Sequence, residues 1–324
     1  MPPTDNDHPR LAHVALVTAA AARDLDEDLP PLEQALRALP GIQISIVNWD
    51  DPDADWSRFD VALLRSAWDY SQRLDEFVSW AARAAGLTRL LNPLAVVRWN
   101  TDKHYLRDLA RVGITTVPSE FIEPGEDAAS ALDLFIAMHC SAGDSTPGAS
   151  ADRKEPEFVV KPAIGAGSRD AQRYGQSERD AAVAHAVRLL DARRSVLLQP
   201  YLDRVDEHGE TALIFFAGRF SHAVRKGPLL RRGEGPTRAL FAEEHITARK
   251  PTDDEVRVAL RTLGAIPFAK PLLYARVDVI HDADGAPRVL ELELTEPSLF
   301  FAHAAGSAAR FAEEIRAVAS RAPA

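Results

Sequence analysis

Close to the C-terminal end, two runs of alternating residues face each other across a short polar turn, and this pairing constrains the fold more than any other segment. Tyr274 to His281 and Arg288 to Leu294 read as an antiparallel hairpin around Asp284-Gly285. With 282–287 as its turn, Asp278 stands opposite Glu291 and Arg276 opposite Glu293. Side chains alternate along a strand, so Arg276, Asp278, Glu291 and Glu293 share one face. Val277, Val279, Leu290, Leu292 and Leu294 take the other. Carboxylates directly opposite each other repel, at roughly 0.2–1 kcal/mol, unless something neutralises them. A divalent cation does so, and hard oxygen ligands suit Mg²⁺. A solvated acidic strand face gives the same pattern. The arginine at the same level tilts the reading toward a site for phosphate as well as metal.

Upstream, strands and helices alternate. Residues 1–10 form a polar, disordered tail. His13–Ala19, Ile42–Trp49 and Phe59–Arg65 read as strands, separated by helices from Pro31 to Leu39 and from Leu74 to Ala85. This order predicts an N-terminal α/β domain over 11–97 built on an open parallel sheet. A central unit over 98–200 has a helix capped by Thr101, an extended piece after Pro118, and a helix over 128–139. A Ser/Gly/Asp/Pro-rich loop over 141–156, a strand at Glu157–Lys161, a helix over 177–192 and a strand at Ser195–Gln199 complete it. A C-terminal unit over 201–324 holds an antiparallel sheet and a closing amphipathic helix from Ser307 to Arg321. The whole is α/β at its start and α+β overall.

Composition narrows the function classes. The 324 residues carry a net charge of -10, which disfavours nucleic acid as a bulk partner, and 46% hydrophobic residues, which excludes a mainly disordered chain. No run of about 18 apolar residues suggests a membrane span. The Leu11–Ala22 stretch follows an acidic leader, whereas an export signal follows a basic one. With a lone Cys140, a cytoplasmic setting is expected.

Four further features carry chemistry. Phe158-Val159-Val160-Lys161-Pro162 runs into Ile164-Gly165-Ala166-Gly167-Ser168, a strand lysine followed by a glycine turn whose N–H groups suit phosphate. An ordinary glycine turn with an exposed lysine reads the same way, and Lys103 reads as a helix-surface lysine. Leu197 to Leu202, with Gln199 inside it, is an apolar strand leaving the central unit, the kind of linker that sandwiches adenine. Arg225 and Lys226 end a strand before the basic loop over 227–240, a cluster suited to phosphate or a substrate carboxylate. Histidine and cysteine spacing shows no zinc site, and His222 reads as a packed strand residue.

The order of these features (helix lysine, strand lysine, glycine loop, adenine linker, basic strand, then Asp with Glu-x-Glu) resembles the ATP-grasp superfamily of carboxylate–amine ligases over most of 11–318. Within it, four stretches resemble the O-ureido-D-serine cyclo-ligases: Leu64–Tyr70, Arg98–Leu106, Gly209–Phe216 and Leu290–Ser298. The resemblance implies an N-terminal parallel-sheet domain, a central lid and a C-terminal antiparallel-sheet catalytic domain. It implies that Lys103 and Lys161 contact ATP phosphates beneath a loop containing Gly165, Gly167 and Ser168. Gln199 and the backbone of Tyr201 and Leu202 would hold adenine. Asp278, Glu291 and Glu293 would bind Mg²⁺, two ions in all, with Arg276 on the transferring phosphate. Many relatives carry Asn where Glu293 stands. Arg225 is expected at the reacting substrate, and Ser66, Trp68, Tyr70, Lys226 and Ser298 as further substrate contacts. The implied reaction is closure of O-ureido-D-serine to D-cycloserine, an antibiotic, with release of ADP and phosphate. A two-substrate carboxylate–amine ligase and a non-catalytic ATP-binding module are the competing readings. The partner is an amino-acid-like carboxylate, with neither nucleic acid nor membrane, and a homo-oligomer is left open.

Overall fold

The computed structural model describes residues 11–140, 155–233, 235 and 245–321. The expected tail over 1–10, most of the 141–156 insertion and part of the loop over 227–240 lie outside them. Three sheets form. The first is parallel, with β1 (Ala12–Thr18), β2 (Ile42–Asn48), β3 (Val61–Ser66) and β4 (Arg89–Leu91) in the order β2-β1-β3-β4. Its central strand is apolar on both sides, as a sheet covered by helices on both faces requires. Val14 and Leu16 pack toward helices Leu29–Arg37 and Ser307–Ala319, while Ala15 and Val17 meet Trp49, Phe77 and Trp80.

The second sheet is antiparallel and runs β5-β8-β6-β7, with β5 (Glu120–Ile122), β6 (Glu157–Pro162), β7 (Gln172–Gly175) and β8 (Val196–Pro200). Helices Ala128–His139 and Arg179–Asp191 cover it and give it a core of its own around Phe135, Phe158 and Leu189. The third sheet runs β11-β10-β9-β12-β13, with β9 (Glu210–Phe216), β10 (Arg219–Lys226), β11 (Ile246–Arg249), β12 (Tyr274–His281) and β13 (Pro287–Glu293). The closing helix returns to the first unit, where Phe311 stacks on Phe216 with ring centroids 4.6 Å apart. The first and third sheets thereby share one apolar core.

Three expectations change. Thr101 does not cap a new helix: its hydroxyl donates to the Val97 carbonyl at 3.0 Å and so belongs to the end of helix Leu94–Asn100. That helix and the next, Tyr105–Arg111, pack through Val96, Tyr105 and Leu109 against the C-terminal sheet, although they stand at the head of the expected central unit. In the hairpin, Arg276 opposes Glu293 and Asp278 opposes Glu291 as expected, but the register shifts between Asp278 and Val279, where Val279 meets Val289. The bulge puts Val289 in the core and turns Leu290 into the cleft.

Candidate active site

A cleft of about 540 Å³ opens between the second and third sheets. The edge strand β13 forms part of its floor, and an edge strand has backbone groups that lack a strand partner. Asn100 and Tyr105 take up that role. The Asn100 amide donates to the Leu292 carbonyl at 2.7 Å and accepts from the Leu294 N–H at 2.6 Å, while the Leu292 N–H donates to the Tyr105 hydroxyl at 3.0 Å. Leu292 and Leu294 are thus fixed inward, so Glu291 and Glu293 point into the cleft.

Lys161, at the end of β6, donates to Glu291 at 2.7 Å. Lys103 Nζ stands 4.0 Å from the same carboxylate. Burial alone would raise the Glu291 carboxyl, but the two lysines outweigh it and hold it well below the usual range. Lys103 lies in the turn before helix Tyr105–Arg111 rather than on a helix surface. Its N–H donates to the Ala163 carbonyl and its Nζ to the Gly165 carbonyl, both at 3.0 Å, so it ties the floor to the glycine loop. That loop reverses through Gly167 at φ +62°, a conformation that favours glycine, and Ser168 is buried beside it.

Arg276 donates through two nitrogens to Asp278, at 2.8 Å each, and also to Glu293. Burial would raise Asp278, but Arg276 and then Lys226 reverse the shift and keep it ionised. Glu293 goes the other way. Burial raises its carboxyl, and the charges of Asp278 and Glu291 add to the effect against Arg276. Lys226 joins Glu210 at 2.6 Å and Asp278 at 3.4 Å. At the far end of the floor Glu296 lines the cleft near Tyr70, and burial pushes its carboxyl up to about 8.

Most of the expected residues converge here. Lys103, Lys161, Gly165, Gly167, Ser168, Gln199, Tyr201 and Leu202 line the cleft, with Trp68, Tyr70, Lys226, Arg276, Glu291, Glu293 and Ser298. Gln199 is steadied by a bond from its amide to Ser119 at 2.9 Å. Asp278 sits just beneath, almost fully buried under Arg276.

Two expectations fail. Arg225 faces away from the cleft: its guanidinium donates to the carbonyls of His208 and Glu207 at 2.8 and 2.9 Å, closing the end of helix Arg204–His208. Alternation along β10 explains this, since turning Lys226 inward turns Arg225 out. Ser66 is buried inside the first unit, with its hydroxyl 2.7 Å from that of Thr18. Sequence reasoning missed Glu210, Leu290 and Glu296. Counting across the Ala217-Gly218 turn sets Gly209 opposite Lys226, and a register shift after Phe220 puts Glu210 there instead; Leu290 likewise reaches the cleft through a bulge that has no sequence mark.

A floor sheet with a cation-bridged acidic hairpin, beneath a separate lid sheet carrying a lysine and a glycine loop, defines an ATP-grasp ligase. Distant solved structures share this fold. D-alanine–D-alanine ligase from Bacillus anthracis superposes with a TM-score of 0.63 at 14% identity, over 95% of this chain and 97% of that one. The ATP-grasp ligase PsnB, solved with a precursor variant, Mg and ADP, gives 0.61 at 16% identity, over 95% and 99%. The crystal structure of D-cycloserine synthetase DcsG gives a TM-score of 0.85 at 39% identity, over 95% of this chain and 100% of that chain. The cycloserine biosynthesis protein DcsG of Streptomyces lavendulae is 40% identical over 306 residues, 93% of this chain and 97% of that protein. Residues 14–92 match the family model of the D-cycloserine synthetase DcsG N-terminal domain. The chain belongs to the DcsG family of ATP-grasp ligases, enzymes that form C–N bonds.

Proposed function

We propose that the protein uses ATP to activate the carboxylate of O-ureido-D-serine and closes the molecule on itself to give D-cycloserine. The γ-phosphoryl group passes to the carboxylate and ADP leaves. The resulting acyl phosphate has a good leaving group, so the internal nitrogen attacks the carbonyl carbon and phosphate departs. Water hydrolyses the carbamoyl group from that nitrogen: it adds to the carbamoyl carbon, the carbon–nitrogen bond breaks with the ring nitrogen taking the proton, and the carbamic acid released falls apart to carbon dioxide and ammonia. In such transfers the protein's work is positioning and charge neutralisation. Lys103 and Lys161 would hold phosphate oxygens, and Arg276 would steady the transferring group. The loop over Gly165–Ser168 would cover the phosphates, with adenine held by Gln199 and the Tyr201–Leu202 backbone. Holding both ends of one molecule raises the effective concentration of the nucleophile, worth up to about 7–11 kcal/mol in ideal geometry.

The floor suits Mg²⁺. Its donors are hard carboxylate oxygens, and the raised Glu293 carboxyl marks a shortage of positive charge among desolvated acids. Among the described residues no three acids or histidines are spaced to hold a metal unaided, so an ion here would need donors from the nucleotide as well. Glu291 and Glu293, with Asp278 behind them, would hold two ions. Bound there, Mg²⁺ supplies charge neutralisation of the phosphates.

The observation that carries this reading is the convergence of Lys103 and Lys161 on Glu291, beside Glu293 and Arg276. Among the described residues no helix is long and apolar enough to cross a membrane. Cytoplasmic work is proposed on the chain's single cysteine, Cys140, which suits a reducing compartment. Whether copies associate bears on none of these roles. ADP release provides the test. Full turnover with ATP, Mg²⁺ and O-ureido-D-serine, unchanged by added amines, supports ring closure. Release that requires a separate amine identifies a two-substrate ligase, and ATP binding without turnover a regulatory module.

A further inference from the structure

The segment following the acidic hairpin is held at six consecutive residues. Trp68 Nε1 donates to the Glu296 carbonyl at 3.1 Å, Arg65 to that of Pro297 at 3.0 Å, and Arg276 to that of Ser298 at 3.2 Å. The Asp28 carboxylate then accepts from the N–H groups of Leu299, Phe300 and Phe301 at 2.5, 3.0 and 2.8 Å. Donors and acceptors from the first unit and from β12 thus fix the backbone over 296–301, the support a precise recognition element needs. From this fixed segment the Glu296 side chain enters the cleft, which Tyr70 also lines close by.

Charge pairing sets the same residue apart: Glu27 and Asp28 also line the cleft without a salt bridge, but Glu27 is exposed and Asp28 spends its oxygens on the three N–H groups. Glu210 has Lys226, Asp278 has Arg276 and Lys226, Glu291 has Lys161, and Glu293 has Arg276. Among the described residues Glu296 has no salt-bridge partner; Lys103 and Arg276 act on it only from farther away. A half-buried carboxylate with no cation against it lacks the counter-charge that would offset its partial desolvation. A cationic ligand group supplies that charge.

We propose that Glu296, oriented by Tyr70, receives the ammonium group of the amino-acid substrate and so selects for an α-amino acid over a simple carboxylic acid. This rests on the ring-closing reading above, whose substrate carries one ammonium next to the carboxylate to be activated. Glu296 is here a binding residue and Tyr70 a positioning residue acting through it.

The test compares O-ureido-D-serine with its des-amino analogue, 3-(carbamoylaminooxy)propanoate, by ADP release. The wild-type protein should prefer the amino substrate by roughly 10- to 100-fold in kcat/KM, the range of a charged hydrogen bond. Glu296→Gln should raise KM for O-ureido-D-serine by a similar factor, leave KM for ATP unchanged, and erase the preference. Tyr70→Phe should weaken the preference severalfold. Equal wild-type use of both compounds overturns the proposal without any variant, as does Glu296→Gln with the preference intact. If Glu296 were merely a tie between units, its substitution would lower Tm with the preference unchanged. Absence of ADP release by the wild-type protein with O-ureido-D-serine would overturn the reaction itself and this inference with it.

Discussion

The floor and the lid of the cleft are built differently. The floor belongs to a body in which the first and third sheets share one apolar core, sealed by Phe216, Tyr274, Phe311 and Ile315. The lid has a separate core around Phe135, Phe158 and Leu198. It meets the body through a few apolar side chains, Phe121 and Leu197 on one side and Ile164 and Ala166 on the other. Further ties are polar: Lys103 with the Ala163 and Gly165 carbonyls at 3.0 Å, Lys161 with Glu291 at 2.7 Å, Arg173 with Asp206 at 3.1 Å, and Arg232 with Glu178 at 3.0 Å. Apolar burial is little affected by salt, whereas ionic ties are screened by it. The groups proposed for metal and substrate therefore stand on the rigid part, and the loop proposed to cover the phosphates on the part that separates at lower cost.

The largest expected effect lies where the two parts meet. Glu291→Gln keeps the shape of the side chain but removes the charge both lysines face. It should cut Mg²⁺-dependent turnover by roughly 10²–10³-fold with the far-ultraviolet circular dichroism unchanged. Full activity would take Glu291 out of the metal role. Next come paired core truncations. Phe311→Ala should destabilise the body by about 3–5 kcal/mol, and Phe158→Ala should cost the lid core a similar amount. Hydrogen exchange separates them: the first should speed exchange in β1, β9 and β12, the second in β6 and β8 with β12 and β13 still protected. Equal loss of protection in the hairpin would break the distinction between the two parts.

A smaller effect comes from pH. The Glu296 carboxyl is raised by burial to about 8 from a usual 4.5, so the folded protein keeps its proton while the unfolded chain has lost it. Its favourable contribution is complete below about 4.5 and is lost as pH climbs to about 8. Glu296→Gln should therefore raise Tm of the ligand-free protein above that window, with the gap closing near its lower end; a gap constant with pH would contradict the shift. The smallest effect is expected for Arg225→Ala, since that guanidinium caps carbonyls outside the cleft. It should alter kcat/KM by less than about threefold and stability by about 1 kcal/mol.

Local rules made much of this legible. Alternation placed Glu291 and Glu293 on one face with Arg276, and the helix expected over 128–139 forms there, opened by the Asp127 carboxylate, which accepts from the Ser130 N–H. Legibility failed where long-range packing decides. The short strands β7 and β11 have no apolar run and exist through their partners β6 and β10. Helices 94–100 and 105–111 follow the C-terminal sheet because Asn100 and Tyr105 complete its edge strand, a bond between residues about 190 apart. Arg225 and Lys226 are adjacent basic residues, and nothing local says which one turns inward. Glu296 has no local mark, and its place in the cleft depends on Trp68 and Arg65 of another unit, which hold the backbone at 296 and 297.

The most direct measurement is mass spectrometry of the product formed from O-ureido-D-serine, ATP and Mg²⁺, with ADP counted alongside. A one-to-one yield of D-cycloserine and ADP, lost in Glu291→Gln, is the predicted result. ADP without a cyclised product, or a linear adduct with a second amine, would contradict the assignment of ring closure to this cleft.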